Sequence, residues 1–375
     1  MTSPEAAPAS GPVHRLWRFY EQNERVVDIA FFAGGFLFDV FTLSRVDAWL
    51  FVVQQVVYLV AAGAILLHIF FDEGKPARQL DGMPRLKRWY FEYRMAAVHF
   101  LLGALLSVYT LFFFKSSSLL VSFAFLLFLV LLLVINESKR FKRLGLPFKF
   151  ALLSVCLLSF SAILVPVVVG SIGVVVFLLS MLVGTIPVAI MQRRIKIHAP
   201  ERSVQASRQI VVPFGLVLIG FLALYLFRLI PPVPLSIPYI GVYHVVEKTE
   251  AGYRLTHESG SWRFWRRGDQ YFAAQPGDRI YVFFRIFSPA HFADQVTMRW
   301  YWKPEGGDWK LHDSIPIAIV GGREQGFRGY GFKTNYQPGD WKVQVDTTDG
   351  REIGRVYFTV ESVPEGPRVL ETTVQ

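Results

Sequence analysis

A carboxylate inside an apolar run, and aromatic rings interleaved with guanidinium groups, are the two patterns here with the chemistry for a site. Asp39 falls within the apolar stretch 26–44. A carboxylate at the centre of a membrane helix costs about 2.5–3.5 kcal/mol, which makes such a residue a functional candidate by default. Counted from Arg25, Asp39 sits in the outer third of its stretch, within reach of water, Arg45 or Lys115. Gln54, Gln55, His99 and Tyr109 add polar groups to the next apolar stretches, accompanied by His68, Ser107 and Asn136. Two readings stay open: hydrogen bonds that hold helices together, or a polar pocket that binds or conducts something. The second pattern is Trp262-Arg263-Phe264-Trp265-Arg266-Arg267. With Arg299, Tyr301 and Trp309, the residues Trp262, Trp265 and Arg266 would make a stacking platform for a sugar or glycan. The alternative is an aromatic strand at the end of a hairpin.

Other signatures fail on residue type. Gly321 to Gly326 is glycine-rich but lacks the Lys and Ser/Thr of a phosphate loop. His244, His257, His291 and His312 are scattered without metal-ligand spacing. Neither a Gly-x-Ser-x-Gly elbow nor a His-Glu-x-x-His helix occurs. No catalytic residue, metal or cofactor is assigned. The sole cysteine, Cys156, lies in an apolar stretch and is expected to be an inert core residue.

The elements that must position these residues follow from charge. Lys and Arg cluster in 1–25, 72–94, 136–149 and 192–209, while the loops between hold little more than Arg45 and Lys115. Seven apolar stretches lie near 26–44, 48–71, 95–114, 117–135, 148–168, 171–191 and 210–230, each near the roughly 20 residues that cross a bilayer. Pro166, Gly170 and Gly173 mark the turn between the fifth and sixth. The positive-inside rule puts residues 1–25 in the cytoplasm and the chain after 231 on the far side. Residues 1–25 are polar, so the first helix, not a cleaved leader, is expected to direct insertion. The net charge is +10, yet the last 136 residues hold 17 basic and 17 acidic side chains. The excess belongs to loops that face anionic lipid headgroups, so no nucleic-acid role is expected.

From residue 240 the pattern changes to short alternating runs separated by turns such as Arg267-Gly268-Asp269, Glu305 to Asp308 and Asp349-Gly350. Gln-Pro-Gly-Asp occurs at 275–278 and 337–340, each time before a strand. Alternation puts Met298, Trp300 and Trp302 on one face and Arg299, Tyr301 and Lys303 on the other. The fold class is therefore a membrane α-helical bundle of seven transmembrane helices followed by an all-β immunoglobulin-like sandwich domain. Its expected parts are 1–25, a cytoplasmic segment; 26–230, the transmembrane domain; 231–239, a stiff proline-rich spacer; 240–362, the β-sandwich; and 363–375, a flexible tail.

Arg299-Trp300-Tyr301, Gly339, Trp341-Lys342-Val343, Asp349-Gly350, Gly354 and Phe358-Thr359-Val360 resemble the carboxy-terminal module of bacterial envelope proteins catalogued as domain of unknown function 2914. The segments Gly35 to Asp47, Tyr109 to Ser116 and Pro231 to Leu235 resemble the multi-span partner that precedes it. The resemblance implies an inner-membrane protein with a periplasmic domain and carries no activity. Three readings follow. The first is a non-enzymatic anchor presenting a binding module to a periplasmic protein or glycan. The second is a transporter or lipid-handling protein using polar residues of helices 1 to 3. The third is an envelope sensor working through a separate effector. Membrane lipids are the one partner common to all; oligomeric state is open.

Overall fold

In this computed structural model the described residues are 49–75, 83–116, 119–137, 144–250, 252–258, 267–289, 292–320 and 326–375. The expected first span, 26–44, lies outside them, as do Asp39, Arg45, Trp262, Trp265 and Arg266.

A helical region precedes a β-rich domain. The helices are α1 (Trp49–Asp72), α2 (Arg85–Lys115), α3 (Leu119–Glu137), α4 (Leu146–Val169) and α5 (Val174–His198), then the helical segment α6 (Pro200–Leu226). Five of these are long and apolar enough to cross a membrane: α1, α2, α4, α5 and α6. In α3 the apolar helix Ser122–Asn136 is shorter. Among the described residues the count is thus five, where seven were expected for the whole chain. Helix α2 starts ten residues before the expected 95, because Pro84 stands at its N-cap and no breaker separates Arg85 to Arg94 from the apolar part. Its first turns are charged, so apolar length alone places its start too late.

Helix α4 is the central one. Of its apolar window 72% is buried, against 28% for α1 and α5 and 22% for α6, and it packs on α1, α2, α5 and α6. Small residues let neighbours approach closely. A Cβ added at Gly184 of α5 would come within 2.8 Å of Leu158 Cδ2. Helix α4 ends at Gly170, whose left-handed φ of 75° lets its N–H return to the Pro166 carbonyl. The turn therefore falls at Gly170 to Gly173, with Pro166 still helical.

The strands are β1 (Ser236–Tyr243), β2 (Val245–Thr249), β3 (Gly252–Glu258), β4 (Tyr271–Ala274), β5 (Ile280–Phe287), β6 (Ala293–Lys303), β7 (Lys310–Val320), β8 (Phe327–Lys333), β9 (Gly339–Thr347), β10 (Glu352–Ser362) and β11 (Leu370–Val374). They form sheets ordered β1-β5-β8, β4-β10-β9-β6-β7 and β11-β3-β2. Val282, Phe284 and Ile286 of β5 share one core with Met298, Trp300, Trp341, Val343 and Phe358. The first two sheets therefore pack face to face, with Trp300 and Trp341 fully buried between them.

Two expectations are corrected at the ends of the β-domain. The spacer is shorter than 231–239, because β1 begins at Ser236. Pro238 is tolerated there since β1 is an edge strand and its ladder is irregular between Ser236 and Tyr239. Residues 363–375, expected to be a flexible tail, include β11, which pairs antiparallel with β3 from Leu370↔Glu258 to Val374↔Arg254. The run Leu370-Glu371-Thr372-Thr373-Val374 has strand composition that its terminal position had masked.

Candidate functional site

Two sites were expected, and the described residues divide them differently. Among the helices, Gln54 faces outward and Lys115 is exposed in the last turn of α2, whereas Gln55, His99 and Tyr109 are buried. His99 Nδ1 lies 3.3 Å from Asn136 Oδ1, and the Asn136 amide donates to the His99 carbonyl at 3.0 Å, joining α2 to α3. The Tyr109 ring lies near Phe160 of α4. Gln55 Oε1 and Tyr109 Oη have no hydrogen-bond partner among the described residues. Five described members thus split between the inside and the outside of the bundle. Cys156 is fully buried.

The β-domain gathers its residues more closely. Register sets Tyr301 of β6 beside Lys342 of β9, and Lys342 beside Tyr357 of β10. Since side chains alternate along a strand, Tyr301, Lys342 and Tyr357, the chain neighbours of buried Trp300, Trp341 and Phe358, all point outward. Lys342 Nζ sits 4.1 Å from the centre of the Tyr301 ring and 5.4 Å from that of Trp309. Trp309 and Tyr357 lie 5.8 Å apart with planes tilted by 56°. Arg355 donates to the Tyr357 hydroxyl at 2.8 Å and pairs with Glu352. The result is a cluster of three part-exposed aromatics, two of which flank one ammonium. Beside it a cleft of about 240 Å³ is lined by Gln270, Tyr271, Asp340 and Thr359 together with Trp309 and Tyr357.

Arg299 belongs to a different structure. Its guanidinium donates to Asp346 Oδ2 at 2.6 Å, and the Gln344 amide donates to the other oxygen at 2.7 Å. Burial pushes the Asp346 carboxyl above its usual range, against the opposing pull of Gln344 and Arg299. Arg299 holds this buried carboxylate, while Tyr301 and Trp309 face solvent. Lys342 and Tyr357 were missed as candidates. Their signal was outward phase: each lies beside a core aromatic in an alternating run.

A buried polar group lies elsewhere in the domain. His244 and Asp269, both buried, approach to 3.7 Å, and the Glu258 carboxylate lies 3.6 Å from the same His244 Nε2. Arg368 faces His244 Nδ1 at 3.3 Å and binds Asp278 at 2.6 Å. A guanidinium only donates, so Nδ1 is the acceptor and the ring proton sits on Nε2, towards the carboxylates. Burial holds the His244 pKa down to about 4, helped by Arg368, and pushes Asp269 up to about 7.

The β-domain also touches the helix ends. The Ala293 N–H donates to the Gly170 carbonyl at 3.0 Å, and the Ile172 N–H to Asp294 Oδ2 at 3.0 Å. Tyr225 of α6 donates to Asp349 Oδ2 at 2.7 Å, and Arg351 donates to the same oxygen at 2.9 Å. Tyr225 also stacks on Phe177 of α5 at 3.8 Å. Burial acts to raise the Asp349 carboxyl, but Arg351 and the hydroxyls of Thr347 and Tyr225 outweigh it and hold it below the usual range.

Membrane-length helices followed by a β-domain of two packed sheets define the class of the chain. Residues 293–360, spanning β6 to β10, match the family described as Protein of unknown function (DUF2914). No curated protein matches. Among solved structures, an immunoglobulin-like protein from Pseudomonas aeruginosa is 13% identical, covering 34% of this chain and 98% of its own, with a TM-score of 0.22. A β-glucosidase from Listeria innocua is 11% identical over 30% of this chain and 16% of its own, with a TM-score of 0.18. An alkylpurine DNA glycosylase from Pseudomonas fluorescens is 14% identical over 73% of both chains, with a TM-score of 0.21. TM-scores this low establish no shared fold.

Proposed function

We propose that the chain is an integral protein of the bacterial inner membrane, with seven spans and a cytoplasmic amino terminus, that presents an immunoglobulin-like binding module to the periplasm. The module is non-enzymatic, and its partner is a glycan or a protein of the envelope. The outward platform of Tyr301, Trp309, Tyr357 and Lys342 carries this reading. Exposed rings supply flat apolar faces for the C–H side of a sugar, and the neighbouring Asp340, Gln270 and Thr359 supply hydrogen-bonding groups for its hydroxyls. A second reading, a sensor, is favoured by the contacts of Asp294 and Asp349 with the helix ends, which give binding at the sheet a route to α4 and α6.

The test is titration of the full chain in nanodiscs with soluble peptidoglycan fragments and with chito-oligosaccharides, followed by tryptophan fluorescence. Saturable quenching that weakens about tenfold in Trp309→Ala supports glycan binding, since base or ring stacking on an aromatic is typically worth about 1–3 kcal/mol. Absence of binding to every saccharide, with an envelope protein captured by crosslinking at Tyr357, moves the partner to protein. Absence of both abandons the binding-module reading.

A further inference from the structure

At the end of the bundle away from Gly170, the last turn of α1, the third turn of α2 and the first turn of α4 enclose a cleft of about 330 Å³ lined by Asp72, Glu73, Arg94 and Lys149. Lys149 is 3% exposed. Its ammonium has three donors, of which one goes to the Leu144 carbonyl, and it has no ion-pair partner among the described residues. The same turn of α4 opens at Gly145, which supplies no capping side chain, and although Pro147 removes one amide donor, the amino end of the helix dipole adds partial positive charge there. Arg94 binds Asp72 at 2.6 Å, and that one carboxylate is also shared with Lys75 at 3.4 Å. Glu73 lines the same cleft, and Gln205 and Gln209 of α6 both donate to its Oε2 at 2.8 Å, which leaves Oε1 for another donor.

We infer that this cleft seats the headgroup of a zwitterionic aminophospholipid, its phosphate at Lys149 and the α4 amino end and its ammonium at Glu73. The occupant follows from charge complementarity. A buried cation without a carboxylate calls for an anion, and an exposed carboxylate held in place by two amides calls for a cation. A phosphoethanolamine group carries both on one short link. The place fits as well, since the cleft opens where three membrane-length helices reach the headgroup layer. This inference rests on the membrane reading of the helices and is independent of what the β-domain binds.

The experiment is native mass spectrometry of the full chain released from nanodiscs of equal phosphatidylethanolamine and phosphatidylglycerol. Preferential retention of phosphatidylethanolamine is expected. Lys149→Gln is expected to cut that retention about tenfold, as loss of a charge-assisted bond would. Glu73→Gln changes an exposed side chain and is expected to equalise the two lipids without lowering total retention. Equal retention of both lipids by the unmodified chain, or retention unchanged in both variants, overturns the inference. Soluble phosphoethanolamine raising the unfolding temperature in detergent as much as dihexanoyl phosphatidylethanolamine does would assign the cleft to a small soluble phosphate and overturn the lipid.

Discussion

The helices and the sheets dispose of their apolar side chains in opposite ways. Helix α4 hides Leu152, Leu153, Leu158 and Ile163, while Val175 and Leu182 of α5 and Leu216 of α6 lie open on the outside of the bundle. The β-domain sends Trp300, Trp341, Val343 and Phe358 inward and alternates them with Tyr301, Lys342, Gln344 and Tyr357 facing out. One region therefore needs hydrocarbon around it and the other needs water. Large apolar exteriors of the first kind are not sustained in aqueous solution, and amphipathic alternation of the second kind is what a half-solvated sheet requires.

The comparison breaks most sharply at the shared core of the sheets. Trp341→Ala is expected to cost about 3–5 kcal/mol, the usual range for truncating a buried aromatic, read as a lower unfolding temperature of the β-domain while helical content persists. A charge placed on an exposed position tests the two solvents directly. Leu182→Asp is expected to cost about 2.5–3.5 kcal/mol of membrane insertion, seen as lost yield in the membrane fraction. Val320→Asp on the exposed β7 is expected to stay within about 0.5 kcal/mol. Equal effects of the two would end the distinction.

Smaller changes sharpen it at the junction. Asp349→Asn is expected to cost about 1–3 kcal/mol, because it weakens a charge-assisted contact shared by Arg351 and Tyr225, and hydrogen exchange at residues 347–351 would report the loosening. The native carboxyl titrates below its unfolded value, so its contribution is present at neutral pH and is lost as pH falls through the depressed native pKa.

The smallest net effect expected of the unmodified domain at this site concerns pH, because two contributions cancel. Native His244 stays neutral down to about 4 while the unfolded chain takes up a proton near 6.5, so its contribution falls as pH drops across that window. Native Asp269 takes up a proton near 7 that the unfolded chain gains only near 3.9, so its contribution rises over much of the same window. The two oppose each other. His244→Gln is therefore expected to make the β-domain more stable at pH 5 than at pH 7.5, and Asp269→Asn the reverse, by thermal unfolding at the two pH values.

Much of this was legible from local pattern. The alternation around Trp300 and the turn at Glu305 to Asp308 located β6 and β7 to within two residues, and Gly170 with Gly173 located the break between α4 and α5. What stayed hidden depends on pairing across distance. Nothing near Arg299 reveals Asp346, 47 residues on, and only the β6-β9-β10 register brings Lys342 and Tyr357 to Tyr301. The charges of Arg85 to Arg94 end an apolar span but do not end a helix, so the sequence pattern marks the first and not the second. At Pro238 the residue type argued for spacer, and only an edge position in the sheet makes it strand.

The short link from Leu226 to Ser236 gains another meaning from the contacts at Gly170 and Asp349. A domain held by one covalent link alone keeps freedom to swivel and tilt about it. Here two lateral attachments, one on the turn after α4 and one on the end of α6, oppose those rotations. Any torque applied to the sheets is then delivered to two helix ends at once, as through a bracket rather than a string.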